Sequence, residues 1–242
     1  MHRFFIPKQN INADRVVLTQ AASQQVRNVL RLKANSHIVV LDNTGYEFEV
    51  EIDNPGDDMI SGNVLSSRKV ECEPDFRLSL FISLTQREKF ELVLQKCTEI
   101  GISEFHPFVS SRSLVDGKRF LEKKDRCITI LREAAEQSSR GRIPMLHDPV
   151  MFTTALETAS AQHGQVLFAW EEADLSVAIG KLGNSIKGRS IALFIGPEGG
   201  FSEEEAVMAK ERGAQVISLG KPILRMETAA IAAAFYLLNY PE

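Results

Sequence analysis

The chain has 242 residues, of which 28 are Lys or Arg and 32 are Asp or Glu, giving a net charge of −4, with 44% hydrophobic and 25% charged residues. This is the composition of a soluble globular protein of one large or two small domains, and no apolar run is long enough to span a membrane. The mildly acidic balance gives no overall attraction for nucleic acid, so such binding would need a local basic face.

Met1-His2-Arg3-Phe4-Phe5-Ile6-Pro7 is too short an apolar run for a secretory signal. Cys72, Cys97 and Cys127 are far apart and form no C-x-x-C pair, which predicts a reducing, cytoplasmic setting. His2, His37, His106, His147 and His163 show no metal-ligand spacing, and no zinc or other metal site is expected.

Arg3 to Ile6 and Val16 to Leu18 read as short strands, and Val26, Val29 and Leu30 have helical spacing. His37 to Asp42 reads as a strand ending in the turn Asn43-Thr44-Gly45. Tyr46, Phe48, Val50 and Ile52 then alternate with Glu47, Glu49, Glu51 and Asp53, the period-two pattern of a strand with one wet face. Asn54-Pro55-Gly56-Asp57 turns the chain into a further strand, Met59 to Ser66. Closely spaced strands joined by turns predict a small antiparallel barrel over residues 1–72. The polar, Pro-containing Glu71-Cys72-Glu73-Pro74-Asp75 marks the boundary of a second domain, 73–242.

Beyond it the pattern changes. Arg77 to Leu84 is apolar without alternation, as in a strand covered on both faces. Phe90, Val93, Leu94 and Cys97 follow at helical spacing, with Gly101 as the stop. Glu104 to Val109 reads as a strand, Phe120 to Ser139 as one long helix and Thr153 to Ala161 as another helix. Gln165 to Trp170 and Ser190 to Ile195 read as strands, and Ala229 to Tyr240 as an Ala-rich last helix. Strands alternating with helices predict an α/β domain with a mostly parallel sheet. Between Arg112 and Arg142 the chain is locally basic, although Lys123-Lys124 also fits a solvated helix face.

Two loops in this domain have no ordinary structural excuse. Gly196-Pro197-Glu198-Gly199-Gly200 follows the apolar run ending at Ile195, and Ser202 then opens a capping box with Glu205. Leu219-Gly220-Lys221-Pro222-Ile223-Leu224-Arg225-Met226-Glu227-Thr228 follows the β-rich run Gln215 to Ser218. In open α/β sheets, ligands bind at such strand-end loops. Neither loop is a dinucleotide fingerprint or a Walker loop, and the acidic turn Glu203-Glu204-Glu205 disfavours a phosphate. A ligand with a cationic or neutral centre fits better.

Together these loops resemble the carboxyl-terminal signature of the SPOUT methyltransferases, and within them the ribosomal RNA small subunit methyltransferase E family. The resemblance extends to Gln95-Lys96, Glu99-Ile100-Gly101, Glu133-Ala134-Ala135-Glu136-Gln137-Ser138, Arg140 and Pro144. Pro222 and Met226 depart from the pattern, which has Arg and Thr there. The resemblance implies a C-terminal trefoil-knotted domain with a PUA-like N-terminal β-barrel, acting as a cytoplasmic homodimer that uses S-adenosylmethionine to methylate uridine N3 in 16S ribosomal RNA of the small subunit.

The resemblance further implies a cofactor wall of Ala169, Trp170 and Glu171, the loop Ile195, Gly196, Pro197, Glu198, Gly199 and Gly200, and the positions Leu219, Gly220, Ile223, Leu224, Arg225, Glu227, Thr228 and Ala229. Ile223 and Leu224 fit simple core equally well. Arg225 is the expected catalytic residue, with Glu198 and Glu227 positioning substrate or accepting a proton. RNA contacts are expected at Arg3, Arg27, Arg31, Lys33, Arg112, Arg140 and Arg142, although Arg27 and Arg31 also fit an exposed helix face. Two other classes stay open at this point: a non-enzymatic RNA-binding assembly factor, and a nucleotide-binding α/β enzyme such as a dehydrogenase or hydrolase, which lacks its usual fingerprints here.

Overall fold

A computed structural model describes residues 1–56, 58–113, 115–181 and 190–239. Asp57 of the expected turn and Tyr240 of the expected last helix lie outside the described residues. The chain forms two compact units, Met1–Glu73 with Ala135–Ile143, and Pro74–Ala134 with Pro144–Glu242.

The first unit contains β1 (Arg3–Phe5), β2 (Arg15–Val17), α1 (Gln20–Gln24, running into a π-turn over Gln25–Val29), β3 (His37–Leu41), β4 (Tyr46–Ile52) and β5 (Ser61–Lys69). The strand order is β1-β3-β4-β5-β2. Contrary to the antiparallel expectation, the sheet is mixed: β1 pairs with β3 in parallel, because the chain crosses over through β2 and α1 between them. One face buries Phe4, Val16, Val26, Ile38, Val50 and Ile52. The other buries Phe5, Val39, Leu41 and Val70 with Ala135 and Ile143.

This second apolar layer explains why the acidic face of β4 is only partly wet. Glu47 is 7% exposed, and both Arg3 and Arg68 pair with it. Burial acts to raise its pKa, but the hydrogen bonds from the two guanidinium groups outweigh burial and hold the carboxyl below its usual range. The alternation holds at Val50 and Ile52, whereas Tyr46 is 49% exposed beyond the edge of the core.

The second unit contains β6 (Leu78–Ser83), α2 (Arg87–Ile100), β7 (Glu104–Val109), α3 (Gly117–Leu121), α4 (Lys124–Gln137), β8 (Met145–Leu146), β9 (Val150–Met151) and α5 (Phe152–Gln162). It continues with β10 (Gln165–Ala169), β11 (Ile191–Ile195), α6 (Glu203–Glu211), β12 (Gln215–Ile217) and α7 (Met226–Asn239). The last turn of α4 belongs to the first unit. The strand order is β12-β10-β11-β6-β7-β8, with β9 also on β7, and every pairing is parallel.

All residues of β6 and β11 are buried, as expected of strands without a polar face. Gly101 caps α2 with φ +124°, its N–H donating to the carbonyls of Cys97 and Thr98. The single helix expected over 120–139 is two, α3 and α4. Neither Gly nor Pro marks the break, so the pattern reads as continuous.

Phe81, Phe108, Phe152, Phe168, Phe194 and Phe201 form an aromatic core beside the central strands. Phe201 directly follows the Gly-rich loop, is 2% exposed and lies 4.1 Å from the Phe168 ring. Burying such a side chain contributes roughly 1.5–3 kcal/mol, and here it fixes the far end of the loop.

Candidate active site

A pocket opens at the carboxyl ends of β10, β11 and β12, where a parallel sheet presents its loops. Its walls are Ala169, Trp170 and Glu171 after β10, Ile195 to Glu198 with Gly200 after β11, Ser218 to Leu224 after β12, and Met226 and Ala229 in the first turns of α7. The two loops singled out in the sequence thus meet in one cavity. Four expected members do not line it: Gly199, Arg225, Glu227 and Thr228. Ser218, Lys221, Pro222 and Met226 line it without having been expected. Pro222 has no N–H, so this stretch of wall carries one backbone donor fewer.

The first loop is closed by Gly200 N–H donating to the Pro197 carbonyl at 3.0 Å, with Gly200 at φ +69°. A Cβ on Gly200 would run into the Glu171 carboxylate and push it aside, and the positive φ itself favours glycine here. Gly199 has no positive φ, and a Cβ there would meet only Arg112, at 3.6 Å. Ser202 and Glu205 form the expected capping box at the start of α6. The second oxygen of Glu205 accepts from Ser111 N–H at 2.9 Å, tying the capped end to the loop after β7. Arg112 donates to the Gly199 carbonyl at 2.7 Å, which braces the loop from outside.

Glu198 is the most constrained acid of the pocket. Its side chain is 23% exposed, and Oε1 accepts from Lys89 Nζ at 2.9 Å and from the Thr85 hydroxyl. Burial acts to raise its pKa, but the hydrogen bonds from Thr85 and Lys89 prevail and lower it. These two partners were missed because they lie far away in sequence; their only signal is a polar Thr at the end of an apolar strand. Arg225 is exposed and makes no ion pair among the described residues, with Glu198 and Glu227 or otherwise. Glu227 holds a buried Oε2 that has no hydrogen-bond partner among the described residues.

The expected cofactor can be tested against these observations. The ionisable lining is Glu171, Glu198 and Lys221, a net acidic set suited to a sulfonium cation. Trp170 lines the pocket with its Nε1–H buried and unpartnered among the described residues, and Lys210 Nζ stands 5.5 Å from its ring centroid. The residues present fit S-adenosylmethionine.

The expected RNA contacts divide. Arg31 and Lys33 are exposed, with Arg31 at φ +51°. Arg27 donates to the Pro55 carbonyl at 2.9 Å, and Arg142, also exposed, to the Thr44 carbonyl at 3.0 Å. Arg3 and Arg140 turn inward: their side chains are 14% and 4% exposed and pair with Glu47 and Glu73. Arg112 is exposed and donates to the Gly-rich loop.

At the opposite end of the sheet, Glu104, His106 and His147 come together, a cluster that spacing alone did not predict. Glu104 and His106 share one face of β7, and β8 brings His147 alongside. Glu104 Oε2 contacts His106 Nε2 at 3.1 Å and His147 Nε2 at 3.3 Å, while Arg77 holds Oε1. The His106 ring is stacked between Phe81 at 4.2 Å and His147 at 3.9 Å. Stacked imidazoles hold their lone pairs in parallel planes, an arrangement that serves hydrogen bonds to one carboxylate better than a shared metal.

Burial pushes the His106 pKa down, against the pull of Glu104. For Glu104, burial acts upward but hydrogen bonds from His106 and His147 and the charge of Arg77 hold it well below the carboxylate range. The signs agree. A histidine depressed in the fold loses stability as pH falls below its unfolded value of 6.5, and a depressed glutamate does so below 4.5. Thermal unfolding midpoints are therefore expected to drop steadily from pH 7 to pH 4, with a shallower slope in His106→Phe. A midpoint constant over that range would remove this account of the cluster.

The RNA methyltransferase domain family model matches residues 72–238. Ribosomal RNA small subunit methyltransferase E of Bacillus subtilis (strain 168) is 31% identical, over 96% of this chain and 94% of its own length. A solved ribosomal RNA small subunit methyltransferase E from Neisseria gonorrhoeae, bound to S-adenosyl methionine, superposes with a TM-score of 0.87 at 27% identity, covering 97% of this chain and 95% of that one. A methyltransferase from Legionella pneumophila in complex with the bound cofactor SAM gives a TM-score of 0.82 at 27% identity, covering 97% and 96%. The pocket, its two signature loops and these matches together establish that the chain belongs to the RNA methyltransferase family.

Proposed function

We propose that this protein methylates N3 of a uridine in 16S ribosomal RNA, with S-adenosylmethionine as donor. The observation that carries the reading is the net acidic pocket at the strand ends, walled by glycine and backbone, with Trp170 in its lining. The names of the relatives supply the ribosomal substrate, and the cofactor of the Neisseria structure is the one the pocket chemistry fits. When bound, S-adenosylmethionine supplies a methyl group already activated by its sulfonium.

The chain's task is then alignment and proton handling. Gly196, Gly200, Leu219, Gly220 and Leu224 would hold the cofactor largely through backbone, and Trp170 and Glu171 would close one side. Glu198, kept ionised by Thr85 and Lys89, acts through its fixed negative charge. A carboxylate lowered below 4.5 is a poor acceptor for a uridine N3 proton, whose pKa is on the order of 9–10, near that of a phenol. Glu227, with one buried oxygen unpartnered among the described residues, is the better acceptor, directly or through water. Arg225 stabilises charge that develops on the uracil oxygens.

The same reading takes residues 1–72 as a PUA-like RNA-binding β-barrel and 73–242 as the trefoil-knotted SPOUT domain of a cytoplasmic homodimer. Among the described residues no helix is long and apolar enough to cross a membrane. Leu92 on α2 and Phe235 on α7 are 40% and 47% exposed on helices that pack together, which supports a subunit contact there.

Arg31→Ala is expected to weaken RNA binding and leave cofactor affinity unchanged. It should also lower the slope of log affinity against log salt by about 0.9, the share of one phosphate contact. An unchanged slope would put Arg31 off the RNA face. Calorimetry with S-adenosylmethionine tests the wider reading: absence of binding by the folded protein would favour an RNA-binding assembly factor without enzymatic activity.

A further inference from the structure

A second cavity, of about 300 Å³, lies where β6 ends and α2 begins, closed by α3 and the first turns of α4. Its size is at the lower bound of small-ligand sites. Its floor is aromatic: Phe90 and Phe120 are 3% and 8% exposed and meet edge to face at 5.2 Å. Its rim is cationic. Arg87, Arg119 and Lys123 line it and are exposed, and Arg119 and Lys123 make no ion pair among the described residues.

The acid in the lining is already neutralised. Glu91 accepts from Arg126 at 2.7 and 3.0 Å and from Arg87 at 2.6 Å, and the Arg126 hydrogen bond leads in lowering its pKa to about 2. The cavity also adjoins the cofactor pocket. Thr85, one of its lining residues, donates its hydroxyl to Glu198, which lines the other.

We propose that this cavity receives one unstacked nucleotide of the substrate RNA, the neighbour of the uridine being methylated, with its phosphate on Arg119 and Lys123 and its base against Phe90 and Phe120. The inference rests on the RNA-methylating reading above. An aromatic floor beneath unpaired cations is the combination that single-stranded RNA uses, stacking a splayed base and neutralising its phosphate. Thr85 and Glu198 line different cavities and are hydrogen-bonded to each other, so an occupant here sits beside the cofactor pocket, as the neighbour of the reacting base would.

The test compares wild-type protein with Arg119→Ala/Lys123→Ala in steady-state methylation of 30S subunits that lack the modification. Arg132→Ala/Arg212→Ala, which removes the same charge from exposed positions of the second unit outside the expected RNA contacts, serves as control. The pocket variant is expected to raise KM for the subunits at least about tenfold and to lower the salt slope by about 0.7 per lost single-strand phosphate contact. Its kcat and its affinity for S-adenosylmethionine should stay at the wild-type values, and the control should leave KM unchanged. An RNA made abasic beside the target uridine should raise KM for the wild type and add little in the variant. A variant with wild-type KM and salt slope overturns the proposal, as does an abasic penalty of equal size in both proteins. A wild type that methylates no RNA refutes the underlying reading instead.

Discussion

Arg225→Ala is expected to lower the single-turnover methylation rate by about 10²–10³, the usual cost of removing one electrostatic donor to a developing charge. Cofactor affinity should change little, because Arg225 does not line the cofactor pocket. Its guanidinium is exposed beside Leu224 and Met226, which do line it, and has no ion pair among the described residues to hold it elsewhere. Forming the uridine N3 anion at neutral pH costs roughly 3–4 kcal/mol at about 1.36 kcal/mol per pH unit, and that is the barrier a cation near O2 or O4 would reduce. Arg225→Lys should recover only part of the rate, since an ammonium lacks the planar fork. The wild-type rate should rise between pH 6 and pH 9. If methyl transfer is shown to limit the rate, a flat profile together with an unimpaired Arg225→Ala enzyme would refute this role.

Gly200→Val should cost most of the cofactor affinity while the protein still folds. The left-handed φ of +69° at this position costs a non-glycine residue roughly 1–2 kcal/mol. Its new Cβ would also displace the Glu171 carboxylate from the pocket wall. Together these should raise Kd for S-adenosylmethionine by about tenfold to a hundredfold, or ~1.4–2.8 kcal/mol. Gly199→Ala is the contrast: its Cβ would sit at an ordinary 3.6 Å from Arg112, outside the pocket lining, with no positive φ to strain. Calorimetry on the two variants, with unfolding midpoints as a check of folding, decides the matter. Wild-type affinity in Gly200→Val, or a larger loss in Gly199→Ala, would contradict this account of the loop.

The contrast between neighbouring glycines shows where the sequence stops being legible. That Gly196 to Gly200 forms a strand-end turn followed by a capped helix follows from local chemistry: a buried strand, a Pro and a Ser-x-x-Glu box, all present in the fold. Which glycine takes the left-handed conformation, and that Glu171 stands against it, is a fact of the folded loop that the residue types alone do not give. The strands β6 and β11 were readable because burial on both faces leaves no polar alternation. The wet face expected on β4 failed at Glu47, since the covering segment Ala135–Ile143 arrives from far along the chain.

Long-range pairing limits the site in the same way. Thr85 and Lys89 set the charge state of Glu198 across more than a hundred residues. Arg3 and Arg140, expected as RNA contacts, are paired with Glu47 and Glu73, partners that no local pattern announces. Glu104, His106 and His147 have no ligand-like spacing, yet parallel pairing of β7 with β8 brings them within reach of one another. Periodicity and turn chemistry report what each segment wants locally; partner identities are fixed only when the sheet is assembled.

The most direct measurement is mass mapping of 16S ribosomal RNA after incubating the purified protein and S-adenosylmethionine with 30S subunits from a strain lacking the corresponding gene. The account predicts one added methyl group, on N3 of a single uridine, absent without the protein and absent with Arg225→Ala at matched times. Unmodified RNA in the presence of protein shown to bind the cofactor, or a methyl group on a ring carbon or a ribose oxygen, would contradict it.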